Sequence, residues 1–331
     1  MGTLMGALAG PLLTRWRDAA VGSAAALWLA GILIYLLTHS PSTSDCASRR
    51  PNEGLWCRIA VHHPVGPWLL LLAAIVLVLA TAVLFTAAAP LVLAIADGGA
   101  WAHRGGAFES VAEALATWHL RRRGSLTERV KQAKAQQPET FASERRRAVA
   151  NARLRRYTNG PELAPTAVAN AFMASRDRMQ ARYGLDLSVA WEPLVAVLPD
   201  AAQERLVAAS AIILRRCQVI PVVITAMCLA WWLTPVDGAL WILLCLAGLA
   251  VAHRRMVRSV EAFVVLVETT VLVHRVLLYQ ACGFAAPTTA DDEPDKGKVL
   301  SDYLWDWEVP SGITFTWPTG AEEATASPSS P

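Results

Sequence analysis

Residues 68–96, "WLLLLAAIVLVLATAVLFTAAAPLVLAIA", pass without one charged side chain. A run apolar on every face cannot sit half-exposed in water as an amphipathic helix does. About 20 such residues, at 1.5 Å each, cross a hydrocarbon core about 30 Å thick. Three further runs are also apolar enough, which places spans at 19–38, 67–97, 217–233 and 238–253. The last is short, but Val236 before it and the helix continuing beyond it make up the length. Composition agrees: 54% of the residues are hydrophobic and the mean hydropathy is +0.35, more than a water-soluble chain of this size carries. The expected fold class is an all-α integral membrane protein with four transmembrane helices whose inner ends extend into a cytoplasmic helical bundle. Arg15 and Arg17 precede the first run as in a secretory signal, but "LLTHSPSTSD" after it lacks a small-x-small cleavage site. That run therefore reads as an uncleaved anchor.

Basic residues set the orientation. Residues 101–216 hold 19 Lys+Arg against 11 Asp+Glu, whereas the loop before the second span has only Arg49, Arg50 and Arg58 against Asp45 and Glu53. The N-terminus (1–18) and the region 98–216 are thus expected in the cytoplasm, with an outer loop at 39–66 and an outer turn at 234–237. Trp56, Trp68, Trp231, Trp232 and Trp241 fall at the outer edge and Trp16 and Trp101 at the inner one, as interfacial aromatics do. Cys46 and Cys57 share the outer loop, where an oxidising compartment permits a disulfide; the alternative is two free thiols. Cys217, Cys228, Cys245 and Cys282 lie in apolar or helical context and read as small hydrophobes.

The stretch "VRSVEAFVVLVETTVLVHRVLLYQACGF" (257–284) resembles a fifth span. Insertion energy does not decide the matter. A dozen apolar residues contribute about −4 to −7 kcal/mol, and Glu268 with Arg275 costs about +5 to +7. A fifth span needs a reversal after the fourth, yet "VAHRRMVRSVEAF" holds no Gly, Pro or Asn. Arg254, Arg258, Glu261, Glu268, Arg275 and Tyr279 recur at helical spacings and form one polar stripe. Residues 239–284 therefore read as one helix, with 254–284 as its cytoplasmic extension. The stripe Arg258, Glu261, Glu268, Arg275 is expected to be solvated or to lie between subunits, with a proton-handling or salt-bridged cluster of Glu261, Glu268, His274 and Arg275 as the alternative. Residues 285–331 read as an acidic, mostly disordered tail, in which "KVLSDYLWDW" suits a short docking turn.

Between the second and third spans the punctuation is helical. Thr166 is placed to cap a helix ending at Gly184, Asp186 to cap one running to Val197, and Asp200 to cap a helix unbroken until Pro221. Ahead of these, 121–156 carries 12 Lys+Arg against three Glu. Arg121, Arg122, Arg123, Lys131, Lys134, Arg145, Arg146 and Arg147 make it a candidate seat for a protein partner or for anionic headgroups, each cation near a membrane contributing about 1 kcal/mol. The plain alternative is a solvated face. No nucleic acid is expected, because aromatics are not interleaved with the cations. In "RYGLD", Arg182 and Asp186 are candidate ligand or partner contacts; structurally, Gly184 stops a helix, Asp186 starts one, and Tyr183 and Trp191 pack the corner. His62 and His63 alone are a weak metal signal. The chain has no phosphate-binding loop, nucleophile elbow or zinc motif, so no catalytic residue, metal or cofactor is expected. Uncharged spans argue against an ion or proton path, and Gly22, Ala26 and Ala30 offer the first span a close-packing stripe.

"ARLRRYTNGPELAPT", "RYGLDLSVAWEPLVAVLP" and "HRVLLYQAC" followed by "KVLSDYLW" resemble a group of uncharacterised multipass membrane proteins of actinobacteria. The resemblance covers roughly 150–305 and rests on Pro165, Thr166, Asn170, Arg182 to Asp186, Trp191, His274, Arg275, Tyr279, Tyr303, Leu304 and Trp305. Ala167 and Ala169 stand where the group has Arg and Gly, and Arg176 where it has an acid. The resemblance implies the fold, a cytoplasmic late helix and a bacterial cell membrane, and no activity. The expected function is a non-enzymatic interaction or scaffold protein, multipass, with both termini cytoplasmic. Its partners would be membrane lipids and either further copies of itself or another protein. The basic segment (net +9) is expected to meet the acidic residues 288–331 (net −7). The alternative is a membrane-embedded enzyme or carrier subunit for a lipid-like substrate, which requires Arg215, Arg216, Glu261 and Glu268 to converge.

Overall fold

The computed structural model describes residue 28 and residues 66–98, 106–135, 140–158, 160–306 and 315. The N-terminus, all of the first span except Trp28, the outer loop with Cys46, Cys57, His62 and His63, and most of the tail after residue 306 lie outside the described residues. The expectations made for them therefore stay as stated.

The described chain is all helical, without strand: α1 (Gly66–Ala96), α2 (Ala107–Ala135), α3 (Phe141–Leu154), α4 (Ala167–Tyr183), α5 (Leu187–Val197), α6 (Asp200–Met227), a 3-10 turn at Cys228–Trp232, α7 (Pro235–Ala281) and α8 (Glu293–Asp306). Three helical stretches are long and apolar enough to cross a membrane: Ile75–Ala96, Asp200–Trp231 and Pro235–Ala281. The chain divides into two compact units. One holds the described residues within 95–210 and 259–331, the other those within 10–94 and 211–258.

Capping explains the boundaries. Thr166 accepts from the Ala169 N–H at 3.1 Å and Asp186 from the Ser188 N–H at 2.8 Å, each satisfying an otherwise orphan donor. Gly184 closes α4 in the left-handed region (φ 69°), where a side chain would be strained. α7 runs 47 residues with no proline inside, about 70 Å of helix. It ends where Gly283 turns to φ 73° and the Phe284 N–H reaches back to the Tyr279 carbonyl at 2.9 Å, a Schellman-type close.

The structure adds to the sequence reading in two places. The basic stretch 121–156 is not merely polar chain: α2 and α3 pack together as a pair, burying Leu126, Ala133 and Ala150. α3 opens with a reciprocal box in which Ser143 N–H donates to Thr140 Oγ1 (3.3 Å) and Thr140 N–H to Ser143 Oγ (3.0 Å). The tail is not irregular throughout, because α8 forms within it, starting five residues before the stretch proposed to dock. Leu300 is fully buried, and Phe284, Tyr303 and Phe315 stack within 5.1–6.1 Å.

The core of the first unit is built on α7. Val260, Val264, Val267, Val271 and Leu278 are all buried, at spacings of four, three, four and seven that keep them on one face. Phe263 meets Phe172 of α4 edge to face at 6.5 Å, and Trp191 is 2% exposed. In the second unit α1 contributes Ala82 and Phe85, packed by Val78 and Val222. Trp28 Nε1 donates to Thr81 at 2.9 Å.

Candidate functional site

The polar stripe of α7 flanks its apolar face: Glu261, Glu268 and Arg275 follow Val260, Val267 and the helical turn after Val271 at sevenfold spacing. Each engages a residue distant in sequence. Glu261 is paired with Arg156: Nη2 donates to Oε2 at 3.0 Å, while Nε stands 2.5 Å from Oε1 as an ion pair without hydrogen-bond geometry. Glu268 receives two arginines, Arg155 at 3.2 Å and Arg178 through Nε at 3.1 Å. Arg178 also donates to the Arg155 carbonyl at 2.7 Å. Arg275 pairs with Glu293 of α8 and lies 4.8 Å above the Tyr183 ring. Of the readings offered for the stripe, these three side chains follow the salt-bridged one. These three side chains tie α7 to the end of α3, to α4 and to α8 within one unit, because charges beside a buried seam require partners. Arg258 is exposed and belongs to the other unit.

"RYGLD" occupies the corner where α4, α5 and α8 meet. Tyr183 and Trp191 are buried, while Arg182 is exposed over the Tyr183 ring at 5.3 Å. Asp186 accepts from both the N–H and the hydroxyl of Ser188 (2.8 and 2.7 Å) and pairs with Arg176 at 2.7 Å. Burial alone would raise its carboxyl; the bonds from Ser188 and the Arg176 charge outweigh that and hold it below the usual value. Arg176, a departure from the resembled group, thus has a partner within the motif. Gly184 packs so closely on α8 that a Cβ there would overlap the Pro294 carbonyl, and one on Gly297 would overlap the Tyr183 carbonyl. The Asp186 N–H donates to Ser301 Oγ at 2.9 Å. Tyr183, Gly184, Leu185 and Asp186 are engaged in holding the corner, while Arg182 stands exposed. Asn170 likewise serves the α4 entry, exchanging bonds with both backbone groups of Ala164 at 2.9 and 2.7 Å.

The basic residues divide by use. Arg123 donates to the carbonyls of Thr158 (2.9 Å) and Gly160 (2.6 Å), and Lys131 pairs with Glu128 at 3.1 Å on the surface. Arg122 lies 4.9 Å over Trp118. Arg121, Lys134 and Arg145 are exposed, and Arg147 is half-buried. Between α2 and α3 a groove is lined by Leu126, Ala133, Phe141 and Val149 together with Arg129, Arg145, Arg146 and Arg153. Phe141 is 80% exposed. Arg129, Arg145 and Arg153 make no ion pair among the described residues. His119 and Tyr157 form a buried pair, Nδ1 to Oη at 3.2 Å, and Tyr157 clusters with Leu126. Burial, then the nearby Arg122 charge, lowers the His119 pKa.

Of the four residues required to converge for lipid chemistry, Arg215 and Arg216 belong to one unit and Glu261 and Glu268 to the other. Arg216 donates to the Arg255 carbonyl at 2.5 Å within one unit and Arg215 is exposed, while Glu261 and Glu268 are ion-paired within the other. Sequence reasoning missed Arg155, Arg156 and Arg178 as partners of the stripe, and Glu293, Gly297 and Ser301 as the tail's docking groups. The sevenfold spacing of Glu261, Glu268 and Arg275 was the available signal that something lies along that edge. Comparison with known protein families, curated proteins and solved structures gives no match to this chain.

Proposed function

We propose that the chain is a multipass protein of a bacterial cell membrane, with four spans and both termini cytoplasmic, that works by interaction rather than catalysis. The observation that carries this reading is the division among its arginines. Arg123, Arg155, Arg156 and Arg178 are bonded within the fold, whereas Arg129, Arg145 and Arg153 line the groove with no acidic partner among the described residues. An arginine-lined groove with an exposed phenylalanine suits an anionic, amphiphilic surface. Membrane lipids and protein neighbours, including further copies of the chain, are its proposed partners. The resemblance to actinobacterial membrane proteins supports the same placement. The enzyme or carrier reading is weakened because Glu261 and Glu268, two of the four residues it requires to converge, are already held by arginines.

A photo-crosslinker placed at Val149 in intact membranes tests the reading. Discrete adducts are expected, lost when Arg129, Arg145 and Arg153 are all changed to Glu in a variant that melts normally. Adducts indifferent to that charge reversal would overturn it.

A further inference from the structure

Resting on the membrane reading above, we infer that the first half of α2 is an interfacial helix that lies in the lipid headgroup layer of the chain's own membrane. Val111, Leu115 and Trp118 follow one another at spacings of four and three, and Arg122 and Arg129 continue the same line at four and seven. On a helix of 3.6 residues per turn these five share one face. Glu109 and Glu113 fall on the opposite side. Val111 is 49% exposed, Leu115 36% and Trp118 49%, so the apolar end of this face is uncovered by the rest of the protein. The Arg122 guanidinium sits 4.9 Å above the Trp118 ring. An aromatic ring with an adjoining cation is the combination that headgroup layers hold, apolar body inward and charge toward phosphate.

Contacts within one unit connect this face to the end of α1. Ala96 ends an apolar helix long enough to cross the membrane. Two residues on, a Cβ on Gly98 would stand 3.7 Å from the Pro165 ring. The Pro165 backbone in turn borders His119. Thr166, the next residue, donates its hydroxyl to the Ala96 carbonyl. Trp118, the neighbour of His119, is therefore linked through these contacts to Ala96, all within the unit that holds residues 95–210. Only ten residues separate Ala96 from the start of α2 at Ala107, at most about 36 Å of extended chain. The occupant of the face is thus the bilayer surface, and the arginines at its far end select anionic headgroups.

The test uses the full chain in lipid nanodiscs, cysteine-free except for a single spin label at residue 113, 115 or 118. Labels at 115 and 118 are expected to meet dissolved oxygen in preference to a water-soluble nickel chelate, and the label at 113 the reverse. Replacing Arg122 with Gln in discs containing phosphatidylglycerol is expected to shift the docking equilibrium roughly fivefold toward the undocked state. Labels at 115 and 118 as open to nickel as 113 would overturn the inference. So would spin–spin broadening at 118 that vanishes on dilution with unlabelled chain, since that assigns the face to a second copy. Both faces of a disc are open, so the outcome does not depend on sidedness. A chain that fails to enter discs at all would instead overturn the membrane reading itself.

Discussion

Glu268 shows how one residue organises distant chain. Its side chain is 11% exposed and receives Arg178, itself 32% exposed, and Arg155, 63% exposed. Removing a carboxylate from a partly buried cluster leaves cations without compensation, which costs more than the pair gains over water. Glu268→Ala is expected to destabilise the protein by about 2 kcal/mol and Arg155→Ala by less than about 1 kcal/mol, as suits an exposed partner. Thermal melts in detergent check both, and equal losses would show that exposure does not govern the cluster. His119 gives a pH dependence whose sign follows from its environment. Burial and the Arg122 charge both favour the neutral ring, so the unfolded chain binds the proton more readily. Its contribution is complete above the ordinary histidine pKa of about 6.5 and is lost as pH falls from there toward the lowered folded value. The wild-type melting temperature should therefore drop between about pH 7.5 and pH 5.5 by more than that of His119→Gln, which stays neutral at both. Parallel curves would place the titration elsewhere.

Among the elements, α8 is held by features that composition hides. Its acids, its Pro294 and its Gly297 make the tail read as disordered. In the fold those two residues lie against the corner at Tyr183 and Gly184, where two glycines let backbones approach closely. Gly297→Ala is expected to release α8, because its Cβ would overlap the Tyr183 carbonyl, and Leu300→Ala to weaken docking by about 3 kcal/mol through loss of a fully buried side chain. Hydrogen exchange over 293–306 should rise to the level of free chain in the first and by an intermediate amount in the second. Unchanged protection in Gly297→Ala would refute the close contact. What was legible here was local. Thr166, Gly184 and Asp186 announced the ends of α4 and the start of α5 because capping is read within a few residues. The absence of any breaker announced that the end of the fourth apolar run and the stretch 254–281 form one helix, which is α7. What was not legible was pairing across distance: nothing near Arg178 in sequence points to Glu268, 90 positions away. The cap on α3 was legible in "TFAS" but lay hidden in a run read only for its charge.

For the whole molecule, the decisive quantity is the number of times α7 crosses the membrane. Its 47 residues measure about 70 Å, more than twice a hydrocarbon core of about 30 Å. One continuous helix cannot reverse, so it can cross at most once, which leaves a long remainder on one side. The ion pairs of Glu261, Glu268 and Arg275 identify that remainder as the part packed with α3, α4 and α8. Charges satisfied by arginines at 63% and 33% exposure belong in water rather than lipid, where such pairs would have to bear the full desolvation cost. A single cysteine at Asp237, in the turn that opens α7, should therefore be labelled by an impermeant maleimide from the opposite side to single cysteines at Lys131 in α2 and Asp302 in α8. If Asp302 is labelled from the same side as Asp237, then 257–281 is a fifth crossing, and the ion pairs along it must be rebuilt between molecules. If all three are reached from one side, the apolar remainder of α7 does not cross at all.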